Sequence, residues 1–115
     1  MYVTEDRSED FLERMGGSLG ARPGDVVAFG HTHKPWHRVV SGVHFVNTGS
    51  VGRPKDGDPR AGYVVIDFGG GEMRVESRRL AYDVEQTAQA IVASELPNEF
   101  AEDVRTGGVA SAARQ

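Results

Sequence analysis

The chain has no cysteine among its 115 residues. That removes disulfides and thiolate metal sites, and it fits a reducing compartment. No apolar run approaches the roughly 20 residues needed to span a bilayer. The opening MYVTEDRSEDF has neither the basic stretch nor the apolar core of a secretory signal. A cytoplasmic protein with no membrane partner is expected. Basic charge is also scarce: 13 Lys and Arg against 17 Asp and Glu leave a net charge of −4. The arginines are interleaved with acids rather than gathered into a stripe, so no nucleic-acid groove is expected. At this length the chain makes one domain with a modest core.

Along the chain, RSEDFLERMGGSLG predicts a helix with Ser8 as N-cap, Glu9 and Asp10 in the first turn, and an apolar stripe of Phe11, Leu12 and Met15. DVVAF predicts a short buried strand. WHRVV and VHFVN predict a hairpin turning at Ser41-Gly42, with glycine supplying a positive φ. NTGSVGRPKDGDPR predicts a long loop, and AGYVVIDF with EMRVESRRL a second strand pair across Gly69-Gly70-Gly71. YDVEQTAQAIVASELP predicts a helix with Asp83 as N-cap and Gln86 completing a capping box. Its stripe of Val84, Ala88, Ile91 and Val92 is expected to pack on a sheet. NEFAEDVR predicts a last short helix closed by Gly107-Gly108, and residues 109–115 a frayed tail. The fold class is α/β with a β-rich middle.

Three of the four histidines fall in FGHTHKPWHRVV, residues 29–40. His31 and His33 follow the apolar run at one residue's spacing. On extended backbone, positions i and i+2 point to the same side. At the carboxyl end of a buried strand both imidazoles would then face a crevice, where open α/β sheets bind ligands. Gly30 is expected to let the backbone turn sharply there. A His-x-His pair can supply one nitrogen to each of two adjacent ions, as two-metal hydrolytic sites require. A plain polar turn has the same spacing, and on spacing alone it is preferred. His37 and His44 are expected to be ordinary strand residues.

The stretch VVAFGHTHKPWHRVVSGVHFVNTGSVGRPKDGDPRAGYVVID resembles the carboxyl half of the calcineurin-like metallophosphoesterases, in their compact bacterial and archaeal phosphodiesterase-like branch. In that family a strand ends in Gly-His-Thr-His, a hairpin follows, then Asn-Pro-Gly-Ser-Val and a strand pair. Gly30-His31-Thr32-His33 joined to Asn47-Thr48-Gly49-Ser50-Val51-Gly52-Arg53-Pro54 at the right distance carries the resemblance, which runs from about Tyr2 to Gly107. It implies the C-terminal half of a two-sheet β-sandwich flanked by helices, with residues 1–108 forming that portion of the domain.

By the same resemblance, His31 and His33 would each bind one ion of a dinuclear centre, Mn²⁺ first, with Fe, Ni or Zn as alternatives. Gly30, Thr32, Asn47 and Ser50 would form the rim. Ser50 would offer its hydroxyl or amide to the site, or close its own loop with a hydrogen bond. Thr48 stands where the family usually has proline. The family's upstream ligands, in Asp-x-His, Gly-Asp-x-x-Asp and Gly-Asn-His motifs, have no counterpart in this sequence, and no catalytic residue is assigned. The substrate of the intact family is a phosphate ester. A chain with only two ligands is expected to bind metal weakly at best and to be inactive alone. Uncovered strand faces and one open sheet edge would pair with a partner chain or with a second copy. A non-catalytic scaffold module of the same superfamily is the alternative, and a chance His-x-His in an unrelated α/β protein a third.

Overall fold

The computed structural model describes residues 3–69 and 73–109. Helix α1 (Glu9–Ser18) begins at Ser8, whose extended backbone lets its hydroxyl oxygen accept from the Phe11 N–H at 3.1 Å. One side chain thereby satisfies one of the orphan donors of the first turn. The helix lays Leu12, fully buried, onto the sheet, with Phe11 and Met15 beside it. Each such burial contributes roughly 1.5–3 kcal/mol before entropy is charged against it.

That sheet has three strands in the order β1-β3-β2 (Val26–Phe29, Val43–Asn47 and Trp36–Val40). The central strand β3 pairs parallel with β1 and antiparallel with β2. It is therefore covered at both edges, and Val43, Phe45, Val46 and Asn47 are all buried. The β2–β3 hairpin turns at Ser41 and Gly42, both at positive φ (52° and 77°). This is the backbone that a two-residue hairpin favours. Glycine is required at the second position, since a Cβ there would stand 2.9 Å from that of Pro23. Leu12, Trp36, Val40, Val43 and Phe45 form the core beneath α1. The Trp36 ring meets Phe29 edge-on, with centroids 5.1 Å apart.

The second sheet is the antiparallel pair β4 (Ala61–Asp67) and β5 (Arg74–Leu80). Its expected Gly69-Gly70-Gly71 turn lies partly outside the described residues, as does the expected tail from residue 110 onward. Val64, Val75 and Ser77 of this pair face Pro35, His37 and Val46 across a cavity of about 200 Å³. Two sheets with α1 on the outer face of the first agree with the expected layering.

One packing expectation is corrected. Helix α2 (Val84–Val92), capped by the Asp83 carboxylate at 3.0 Å from the Gln86 nitrogen, packs chiefly on α3 (Glu99–Thr106) rather than on a sheet. It is also shorter than expected, because the Ser94 hydroxyl donates back to the Ile91 carbonyl and accepts from the Leu96 N–H. The two short helices lie side by side, joined by the Arg105 guanidinium, which binds both oxygens of Glu85 (2.9 and 2.7 Å) and also pairs with Glu102. Helix α3 ends with Gly107 in the left-handed conformation (φ 65°). Among the described residues no helix is long and apolar enough to cross a membrane.

Candidate metal centre

Strand β1 delivers the chain to Gly30 at the same end of the sheet where β3 ends in Asn47, because Phe29 and Asn47 are register partners. The expectation of extended backbone at the two histidines is corrected. His31 and His33 both have positive φ (81° and 62°). Histidine tolerates this region better than most side chains but still at a cost, and strain of this kind clusters at functional sites. Gly30 does not make the turn: it is not among the positive-φ glycines, and a Cβ there would meet nothing within 4 Å. The histidines themselves bend the chain.

Asn47, fully buried, holds that bend in place. Its amide nitrogen donates to the Thr32 hydroxyl at 2.9 Å and to the Gly30 carbonyl at 3.4 Å, while its carbonyl oxygen accepts from the Gly49 N–H at 2.9 Å. One side chain thus ties the histidine loop to the loop that follows β3. The Thr48 N–H donates to the Phe29 carbonyl at 2.9 Å, a bond that a proline at this position could not make. Ser50 closes its own loop, accepting from the Arg53 N–H at 2.9 Å.

His33 is tied to the same loop twice. Its Nδ1 lies 2.6 Å from the Arg53 carbonyl oxygen, and its own carbonyl accepts from the Lys55 N–H at 3.3 Å. A carbonyl only accepts, so Nδ1 carries a proton, and in the neutral ring Nε2 then keeps its lone pair. This is the arrangement in which metal-ligating histidines are held, one nitrogen donating to a carbonyl and the other left for the ion. The chemistry of His33 therefore fits the expected ligand. His31 is exposed at the bend. Among the described residues, no three His, Cys, Asp or Glu side chains are grouped to hold an ion.

Two features escaped the sequence. The Arg53 carbonyl is a main-chain atom and has no residue-type signature. His37 and His44 are strand residues of β2 and β3 as expected, but that their Nε2 and Nδ1 lie 2.9 Å apart was not foreseen. Their rings are within 13° of parallel with centroids 5.1 Å apart. Counting the register out from a two-residue turn would have found them, because positions 37 and 44 are diagonal neighbours on one face. Burial, and then the charge of His44, hold the His37 pKa below its ordinary 6.5.

Comparison with known proteins bears on the fold and the family. A metallophosphoesterase from Sphaerobacter thermophilus is 25% identical with a TM-score of 0.58, over 71% of this chain and 42% of its own. A hypothetical protein from Pyrococcus horikoshii shares the fold over 92% of this chain and 40% of its own, with a TM-score of 0.75 at 17% identity. An uncharacterized protein of Methanocaldococcus jannaschii is 28% identical over 99 residues, 73% of this chain and 40% of the relative. The chain thus spans about two fifths of the length of the relatives it matches. Residues 1–71 match the profile of the calcineurin-like phosphoesterase superfamily domain, and these residues include the whole Gly-His-Thr-His loop and its Asn47 tether. The chain belongs to the calcineurin-like phosphoesterase superfamily.

Proposed function

We propose that residues 1–108 form the part of a dinuclear, divalent-metal-dependent phosphoesterase that carries its distal ligand pair, His31 and His33. The observation that supports this most directly is the Nδ1 hydrogen bond of His33 to Arg53, which leaves Nε2 as a ligand nitrogen. Asn47 and Thr32 fix the loop from below, and Ser50 shapes the rim by closing the turn that presents the Arg53 carbonyl. Bound divalent ions would supply Lewis-acid stabilisation of a phosphoryl oxygen and an activated water. Mn²⁺ is the first choice, although an N/O site accepts several first-row ions according to availability.

Two imidazoles do not neutralise and hold two adjacent cations, so hydrolysis needs further ligands, above all a bridging carboxylate, from elsewhere in the same polypeptide or from another chain. Strand β1 is one of the two edges of its sheet in the order β1-β3-β2, and an edge strand is a ready place for more strands to pair.

The test is hydrolysis of a bis-aryl phosphate with Mn²⁺. The 115-residue chain is expected to show no turnover above its His31→Ala, His33→Ala variant. Turnover well above that control would overturn the reading, because it would mean that these residues build a complete centre by themselves.

A further inference from the structure

The hydrogen bond that sets the His33 tautomer is only as steady as the loop that offers the acceptor. Residues 48–60 form no helix or strand. Beyond the Ser50 turn and the bond to His33, the segment around Arg53 is also held from the far end of the sequence. The Arg53 guanidinium lies 3.5 Å from the Asp103 carboxylate of α3, whose side chain is only 3% exposed, and 5.0 Å from the centre of the Phe100 ring. Pro54 is fully buried. The Gly57 N–H donates to the Gly107 carbonyl at 3.0 Å. At Gly107 and Gly108 a Cβ would come within 2.6 Å of the Gly57 carbonyl carbon and 2.7 Å of the Lys55 Cα. Backbone there rests directly on backbone, which only glycine permits.

Arg53 therefore acts in two directions, its main chain toward His33 and its side chain into α3. A carboxylate placed almost wholly out of water costs solvation unless it is paired, and the Arg53 guanidinium is one of its partners. Resting on the ligand role proposed above for His33, we infer that α3 is the buttress of the metal loop, with Asp103 a positioning residue that acts through Arg53 to keep the His33 proton on Nδ1.

The tautomer is read by long-range ¹H–¹⁵N NMR of the metal-free chain at about pH 8, where imidazoles are neutral. In the native chain His33 is expected in the Nδ1–H form. Asp103→Asn should move it toward a mixture and weaken Mn²⁺ binding, read from paramagnetic broadening of His33, by about tenfold. The His37–His44 signals should stay unchanged, which shows that the sheet is intact. Arg53→Ala should do the same, and the double variant no more than either single change, since both act on one link. If Asp103→Asn does not fold, Phe100→Leu, which removes only the ring beneath the guanidinium, carries the same readout. A lowered melting temperature with the His33 tautomer unchanged would overturn the proposal and leave Asp103 a stabilising residue only. A tautomer that shifts as expected in Asp103→Asn, while His33 of the native chain is never broadened by Mn²⁺, would support the buttress and overturn the ligand role.

Discussion

Nδ1 of His33 and the carbonyl of Arg53, 20 positions apart in sequence, meet at 2.6 Å. The contact turns one imidazole of a polar loop into an oriented electron-pair donor. Weak Mn²⁺ or Zn²⁺ binding is expected for the isolated chain, measured by calorimetry or by metal-induced NMR shifts. His33→Ala should weaken it by more than the roughly tenfold that losing an outer hydrogen-bond partner costs. His31→Ala with His33→Ala should abolish it. Tight uptake of two ions by the native chain would contradict the half-site.

Asn47 makes the second prediction. Alanine there removes three hydrogen bonds and leaves at least the Gly49 N–H without its partner. The expected cost is about 2–3 kcal/mol, read as a lower urea midpoint at unchanged slope. Aspartate should cost more, since it buries a charge and sets an oxygen against the Gly30 carbonyl. If Asn47→Asp proves harmless, the assigned orientation of the amide is wrong.

The glycines of the two ends of the chain should respond in opposite ways. Gly17 lies within α1, and a Cβ there meets nothing within 4 Å. Gly17→Ala should therefore stabilise by about 0.5–1 kcal/mol through helix propensity. Gly107→Ala combines a positive φ with a 2.6 Å clash against backbone, and should destabilise by more than about 2 kcal/mol. Thermal melts of the two variants compare them directly.

Local signals carried much of this fold. Ser8 and Asp83 are caps because their short oxygen-bearing side chains reach a first-turn N–H, and Ser41-Gly42 turns a hairpin because two strands flank it. Those preferences act over a few residues and are visible in any window. The bend at His31 and His33 was not visible, because it is set by what Asn47 and Arg53 do from a distance, against the local preference of histidine. The partner of α2 was missed for a related reason: its apolar stripe fits a helix as well as a sheet, and α3 is the nearer surface. The resemblance named the proposed ligand positions, but the acceptor that orients His33 is a peptide oxygen.

The His37–His44 pair gives the chain a pH dependence of defined sign. His37 holds its proton less tightly when folded than when unfolded, for reasons of burial and then of the neighbouring His44 charge. The unfolded chain therefore binds more protons below about pH 6.5, and stability falls as pH drops through that value toward the lower folded-state pKa. Urea midpoints measured from about pH 8 down to pH 5 should show this loss, and His37→Gln should flatten it. An unchanged slope in the variant would assign the dependence to other groups.

Trp36 lies three residues beyond His33 and is the chain's single tryptophan. It is buried edge-on against Phe29, and its indole nitrogen has no hydrogen-bond partner among the described residues. An indole kept from water and left without a partner emits at the blue end of its range. The protein therefore carries its own optical probe beside the histidine loop, without a label. Red-shifted emission would report the loop coming away from the sheet, and quenching by a paramagnetic ion would report arrival of the metal, both on the timescale of a stopped-flow trace.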